Sequence, residues 1–573
     1  MSAARSVRSS SVRRRILAIL AAAVAALLLV LVACGGGGKK STDATLRLTP
    51  PNTVANDPVR EGGTVTMALE KNVPNFNPIS ADGQSLEGGM VLNGIFPATF
   101  VQQPDYTVRL NSDLLDSAQQ TAGSPQQTIV YKIKQSAVWS DGTPISADDF
   151  IFGWQTQNGA DPAYSAASST GYEDITAVKG TDGGKTVTVT FRKPFADWQS
   201  LFGVLLPAHV LKAGDVHARF NEGPASIAKV SGGPFVLDSV QANKSITLKR
   251  NDRYYGPRAH LDSVVFSIIT DSNVEPQALA NNEVQVIYPQ PQVDLVGNVR
   301  RIGPKVTYEV GLGPQFEHVD LNVGSPALAQ LPLRKALLTA INRDQILAAT
   351  VKQFSSQITP LNNRIFVQGQ AGYQDNVTAE GLGSGNVEGA KKILTDAGYR
   401  IDGNRLLDPA GKQVPALKAV YPQGNPIRQQ ELEFTQRAFA PLGVQLDIVP
   451  TDEFGPTVFG KHDFDVALFG WVGSPFPSSV NASIYSTDGG QNGGQYSNPA
   501  VDGALAAAAG EPDPAKAAVQ LNEADRQLSR DAVTLPLYQK PTFLAYYGNY
   551  GNIRNNTTSV GPTYNIGQWG LKN

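Results

Sequence analysis

Residues 139–155 read WSDGTPISADDFIFGWQ, and the class of the fold follows from them. Asp141-Gly142 is a turn pair: an Asp side chain bonds its own backbone, and Gly accepts a left-handed conformation. Ser146 and Asp149 have capping-box spacing, a hydroxyl followed three residues later by an acid. Asp148 and Asp149 then stand where a helix N-terminus favours negative charge. Phe150, Ile151 and Trp154 give the helix an apolar stripe. Upstream, Thr128–Lys134 alternates, with Ile129, Tyr131 and Ile133 on one face; downstream, Thr186–Phe191 is a β-branched strand. A helix set between strands predicts an α/β fold.

The pattern continues in both directions. Thr64–Leu69 and Ser245–Lys249 read as strands. Leu333, Leu337, Ala340 and Ile341 share a helical face behind Pro332, and Ala390, Ile393, Leu394 and Ala397 form another, closed by Gly398. Ile427–Phe439 is helical, Val444–Val449 a strand, and Asp463–Trp471 (DFDVALFGW) a near-continuous apolar, buried strand. Ala515–Arg530 is a late amphipathic helix, followed by the strand Thr534–Tyr538. Alternating strands and helices in this half predict crossovers and a largely parallel sheet.

The chain has 573 residues, a net charge of −2, 41% hydrophobic residues and one cysteine. That length corresponds to roughly three to four domain equivalents. Balanced charge argues against a nucleic-acid partner. A single Cys excludes an intramolecular disulfide and any multi-cysteine zinc site. That Cys sits in an informative place. Arg5, Arg8 and Arg13–Arg15 precede the apolar run Ile16–Ala33, which ends in Leu31-Val32-Ala33-Cys34. A basic segment, an apolar segment and small residues describe an export signal over 1–33. The final tetrad resembles a bacterial lipobox, making Cys34 the lipidation site. The apolar run could just span a bilayer instead, but the position of the sole Cys favours lipidation.

Removing residues 1–33 takes away five Arg and no acid, leaving 43 basic against 50 acidic side chains, a net of −7. Residues 34–61 are Gly-, Thr- and Pro-rich and read as a lipidated tether with a reach of roughly 30 Å. The expectation is an exported protein held to the membrane's outer face by a lipid.

Catalytic and metal-binding patterns do not emerge. His209, His217, His260, His318 and His462 have no ligand spacing, and no GxSxG, HExxH, P-loop or CxxC occurs. Gly381–Gly385 lacks the Lys-Ser/Thr of a phosphate loop and reads as a surface turn. No catalytic residue, metal or cofactor is expected, and the chain is not read as an enzyme.

Six segments in order resemble the peptide/nickel class of extracellular solute-binding proteins, receptors of ATP-driven (ABC) importers. They are 139–155, 232–256 (GGPFVLDS…ITLKRNDRYYG), 321–347 (LNVGSPALAQLPLRKALLTAINRDQIL), 386–399 (NVEGAKKILTDAGY), 463–471 and 531–538 (DAVTLPLY). The resemblance implies an α/β, two-lobed periplasmic-binding-protein fold, hinged, with an extra subdomain in the first lobe. Lobe I would comprise 62–104, 229–310 and 535–573, the subdomain 105–228 and lobe II 311–534. It implies capture of oligopeptides between the lobes by a monomer that delivers them to ABC permease subunits. A non-peptide solute, or a regulatory envelope role without transport, is the alternative.

By the same resemblance, ligand would meet Asp82, Gly83 and Gln84 on lobe I and Gly470, Trp471 and the loop beyond on lobe II. Phe152 and Phe454 fall where family members carry pocket aromatics, although each fits a core position equally well. Peptide-binding members place an aspartate three residues after the tryptophan to hold the ligand's α-ammonium. Here that residue is Ser474. A neutral hydroxyl does not compensate a desolvated ammonium as a carboxylate does. Either another acid such as Asp82 takes the role, or the ligand has no free amino terminus.

Overall fold

The structure is a computed structural model that describes residues 47–51, 56–122, 126–292 and 294–573. The expected signal 1–33, Cys34 and the tether as far as residue 46 lie outside the described residues.

The 139–155 stretch folds as its residues dictate. Ser146 caps the helix Ala147–Gln157, and its own N–H donates to Asp149 Oδ2 at 3.0 Å, completing the capping box. Asp149 also accepts from Ala208 N at 3.1 Å and Trp139 Nε1 at 3.4 Å. The buried Lys185 Nζ donates to Ala137 O and Ile145 O at 2.9 and 2.8 Å. The stretch is therefore a brace that holds a turn, a helix and a hairpin together. The helix packs on an antiparallel four-stranded sheet in the order Leu115–Ala122, Thr128–Ile133, Thr186–Phe191, Ile175–Thr181.

A ten-stranded sheet forms the body. Its order is Leu446–Thr451, Leu417–Pro422, Val466–Val472, Val306–Leu321, Thr534–Tyr547, Val286–Ile287, Thr64–Leu69, Ser263–Ile268, Ser245–Arg250, Phe235–Gln241. At its centre the long strands Val306–Leu321 and Thr534–Tyr547 run antiparallel, and their register breaks between Leu312 and Phe316. The break has a chemical origin: Pro314 and Pro541 have no N–H to give to a ladder, and Gly311 and Gly313 flank the site. Hydrophobic packing divides at the same place. One core draws on residues 65–286 and 544–569, and separate clusters draw on 365–533 and 420–469.

Two expectations are corrected. The sheet of the second half is mixed rather than largely parallel. Leu417–Pro422 is parallel to both neighbours, whereas Val306–Leu321 is antiparallel to Val466–Val472 and to Thr534–Tyr547. The expected tether 34–61 does not run free to its end. Val59–Arg60 pairs with Leu571–Lys572, Asp57 lies 3.5 Å from Arg554 and Lys572, and Thr49 N donates to Val310 O at 2.8 Å. Among the described residues no helix is long and apolar enough to cross a membrane.

Candidate functional site

The strand Val466–Val472 is buried through Phe469 and emerges at Trp471, whose backbone lies opposite Phe316, just past the register break. The Trp471 indole packs against three separate apolar clusters. It lies 5.0 Å from Phe469, 5.8 Å from Phe459 and stacks on His318 at 5.9 Å. Its Nε1 is buried and has no hydrogen-bond partner. Phe454 belongs to the same wall, 5.1 Å from Phe469. Gly470 leaves room for Gln315, whose Nε2 would lie 2.7 Å from an added Cβ. At Gly473 a Cβ would meet Val367 Cγ1 at 2.6 Å.

Ser474 is occupied within its own turn. Its Oγ accepts from Phe476 N at 3.0 Å, and its carbonyl accepts from Gln370 Nε2 at 2.9 Å. The structure thus brings Phe454 and Trp471 together around Phe469, whereas Gly470, next to Trp471 in the strand, faces the other side.

Next to Trp471 stands a residue that the sequence does not single out. Tyr106 ends the turn Gln103–Tyr106 at φ +63°, a conformation uncommon for a side chain of that size. Its ring packs with Phe316, Leu361 and Val367, against Trp471 and Tyr373, and its hydroxyl donates to Thr557 O at 3.3 Å. A second contact distant in sequence is made by Asp197, which is 8% exposed and accepts from Ser479 N at 2.7 Å, in the first turn of the helix Pro477–Tyr485. Burial raises the Asp197 pKa, against the opposing pull of the Ser479 and Ser478 donors. Ala196 N adds a bond of 3.0 Å to Ala509 O. Neither Tyr106 nor Asp197 lies in a patterned segment, so only the turn around Pro104-Asp105 could have drawn notice.

The remaining expected residues lie elsewhere. Asp82 and Gly83 are in the turn Ala81–Gly83, and Gln84 follows; Asp82 and Gln84 are exposed and Gly83 is buried. Ala81 N ties that turn to Ser165 O at 2.7 Å. Phe152 takes the core alternative: it is 2% exposed in the apolar core, with Lys212 Nζ 5.4 Å from its ring centre.

Buried charge lies beside the register break. Arg428 grips Glu317 with two bonds of 3.0 Å, and Lys540, opposite the register break, lies 3.4 Å from it. Burial works against charge on Glu317, but the two cations hold its pKa below the ordinary value. Neighbouring Glu431 accepts from the Tyr538 hydroxyl; burial, then the negative charge of Glu317, pushes its pKa up to about 8. Among the described residues, no group of three or more His, Cys, Asp or Glu is placed to hold a metal.

The model of the bacterial extracellular solute-binding proteins, family 5, matches residues 112–494. The chain is 33% identical over 505 residues to the oligopeptide-binding protein OppA of Mycobacterium tuberculosis, covering 86% of this chain and 83% of that protein. Among solved structures, the periplasmic EDTA-binding protein EppA superposes with a TM-score of 0.85 at 35% identity, covering 92% of this chain and all of that one. The oligopeptide-binding protein AppA of Bacillus subtilis, in complex with a nonapeptide, superposes at a TM-score of 0.70 and 20% identity, covering 90% of this chain and 100% of that one. The fold is thus the two-lobed α/β fold of periplasmic binding proteins. A divided core, a broken pair of crossing strands and these likenesses agree: the chain belongs to the bacterial extracellular solute-binding proteins of family 5.

Proposed function

We propose that this chain is the lipid-anchored, extracytoplasmic substrate-binding component of an ABC importer, a monomer that captures oligopeptides between its lobes. One observation carries the reading. The two crossing strands break register at Leu312–Phe316, and Trp471 and Tyr106 meet beside that break. Such a break is a hinge in which few backbone bonds need change. A ligand held by both lobes shifts the open–closed balance by its differential affinity for the closed form. The permease would then read the closed form.

On this reading, lobe I is 62–104, 229–310 and 535–573, its subdomain 105–228, and lobe II 311–534. Gly470, Trp471 and Ser474, with Phe454 behind them, would form the lobe II wall, and Asp82, Gly83 and Gln84 the opposing edge. An extended peptide held by main chain would be bound with little side-chain preference. The names of OppA and AppA support peptide as the ligand class. Cys34 would carry the lipid. The chain would bind without turning its ligand over.

A second reading, a receptor for a non-peptide solute, is favoured by Ser474 and by the likeness to the EDTA-binding EppA. Thermal-shift screening of the purified chain against peptide, amino-acid and sugar pools tests the choice. A peptide-induced rise in melting temperature is expected; no shift with any peptide overturns the peptide reading.

A further inference from the structure

We propose that residues 47–51 are a strap laid across the register break, and that its docking is coupled to capture: lifting the strap loosens the wall around Trp471. The proposal rests on capture between the lobes and adds a control exerted by the end of the tether. The strap touches the chain on both sides of the break at Leu312–Phe316. Thr49 N donates to Val310 O at 2.8 Å, on the side where Val310 pairs with Phe543. Leu48 N donates to Gln357 Oε1 at 2.7 Å. The loop carrying Gln357 leads into Leu361, whose N–H donates to Leu537 O at 3.1 Å, beyond the break. Downstream the strap is pinned: Asp57 N donates to Asn552 Oδ1 at 2.8 Å, and Val59–Arg60 pairs with Leu571–Lys572. One end is thus fixed in a sheet, while the Leu48 and Thr49 N–H groups hold the other.

Docking of this kind is finely balanced. Thr49–Pro51 face Glu309, Arg554, Asn555 and Thr557 across a gap of about 10 Å³. Two buried polar atoms of that wall, Arg554 Nε and Asn555 Oδ1, have no hydrogen-bond partner. Burying them costs free energy that water returns when the strap lifts, so the docked and lifted states lie close in energy. From the strap a chain of contacts leads to the proposed ligand wall. Gly311 lets the segment 555–557 approach closely, since an added Cβ would collide with Thr557 Cγ2. Thr557 Oγ1 donates to Pro104 O at 3.0 Å, and Thr557 O accepts from the Tyr106 hydroxyl at 3.3 Å. Tyr106 in turn packs with Phe316 and against Trp471. Strap, segment 555–557, Tyr106 and Trp471 are therefore contiguous, the packing that coupling between two sites requires. Such coupling is reciprocal: what lifts the strap weakens capture, and a captured ligand holds the strap down.

In the purified full chain, trypsin cleavage after Arg47 reads strap release, and hydrogen exchange over residues 103–107 reads the turn that carries Tyr106. Gln357→Ala removes the acceptor of the Leu48 N–H, and Thr49→Pro removes the donor to Val310; both residues lie outside the proposed ligand wall. In each variant, without ligand, cleavage and exchange should both rise about fivefold, the equivalent of one lost hydrogen bond. Calorimetric affinity for a tetrapeptide pool should fall by about the same factor, and saturating peptide should slow cleavage of the parent chain. Faster cleavage with unchanged exchange over 103–107, or with unchanged affinity for a pool that binds, overturns the coupling and leaves capture intact. Cleavage that neither variant alters overturns the strap itself. If no peptide binds, faster exchange over 103–107 in both variants upholds the coupling, and the peptide reading alone falls.

Discussion

Asp197 accepts a hydrogen bond of 2.7 Å from the backbone N–H of Ser479, so a carboxylate 282 residues away in the chain caps the first turn of the helix Pro477–Tyr485. A side-chain cap contributes about 1 kcal/mol. On the proposed division into lobes that energy belongs to closure rather than to the helix alone, because opening would separate the pair. Asp197→Ala should therefore weaken capture about fivefold, the equivalent of that cap, while the chemical-denaturation midpoint moves little. Ligand titration beside a denaturation curve separates the two effects; equal loss in both would make Asp197 a purely structural residue.

Trp471 touches three apolar clusters and leaves its indole N–H unpaired. Trp471→Phe preserves most of the packing and removes the donor. It should cost about 1 kcal/mol or less in stability and at least about fivefold in affinity for captured ligand. Unchanged affinity would place Trp471 outside the binding wall.

The Glu317–Arg428 pair is buried, with Glu317 1% exposed. Removing one partner strands a buried charge beside the register break. Arg428→Met should destabilise the chain by about 3–5 kcal/mol, read by urea denaturation. A loss below about 1 kcal/mol would mean that Lys540 alone compensates Glu317.

Two carboxyl groups make stability fall as pH rises. Burial, with help from Glu317, lifts Glu431 to about 8, and burial with Glu70 lifts Glu275 to about 9. In the unfolded chain both titrate near about 4.3. Between the unfolded and folded values the folded state binds more protons, so its stability declines with rising pH through that window. Glu431→Gln should gain about 1–2 kcal/mol over the parent at pH 8.5 and little at pH 5. Denaturation curves at the two pH values check this; a gain independent of pH would contradict it.

How much was legible in the sequence follows from how local each signal is. The brace at Trp139–Asp149 and the strand Thr186–Phe191 were readable because caps and alternation act within a few residues. The mixed sheet was not, because strand direction depends on which neighbours meet, and Val306–Leu321 pairs with strands more than a hundred residues away. Val59–Arg60 looked like tether because its partner lies at the far end of the chain. On the proposed site, Trp471 lies in a recognisable strand and Ser474 two residues past its end. Phe152 stayed open in the sequence because a helical apolar stripe marks a core as readily as a pocket. Tyr106 and Asp197 gave no periodic signal, since turns whose partners lie far away in the chain are placed by the whole fold.

The proposed membrane attachment rests on Cys34. Changing Cys34 to Ala should release the exported chain from membranes or leave its signal uncleaved, visible by fractionation and gel mobility. A cleaved variant that stays with the membrane would refute lipidation.

Closure on a captured solute is tested most directly by small-angle X-ray scattering of the chain, alone and saturated with the peptide or solute pool that raises its melting temperature. The radius of gyration should fall on saturation as the lobes close about the break at Leu312–Phe316. An unchanged radius with the ligand demonstrably bound would contradict the hinged-capture account.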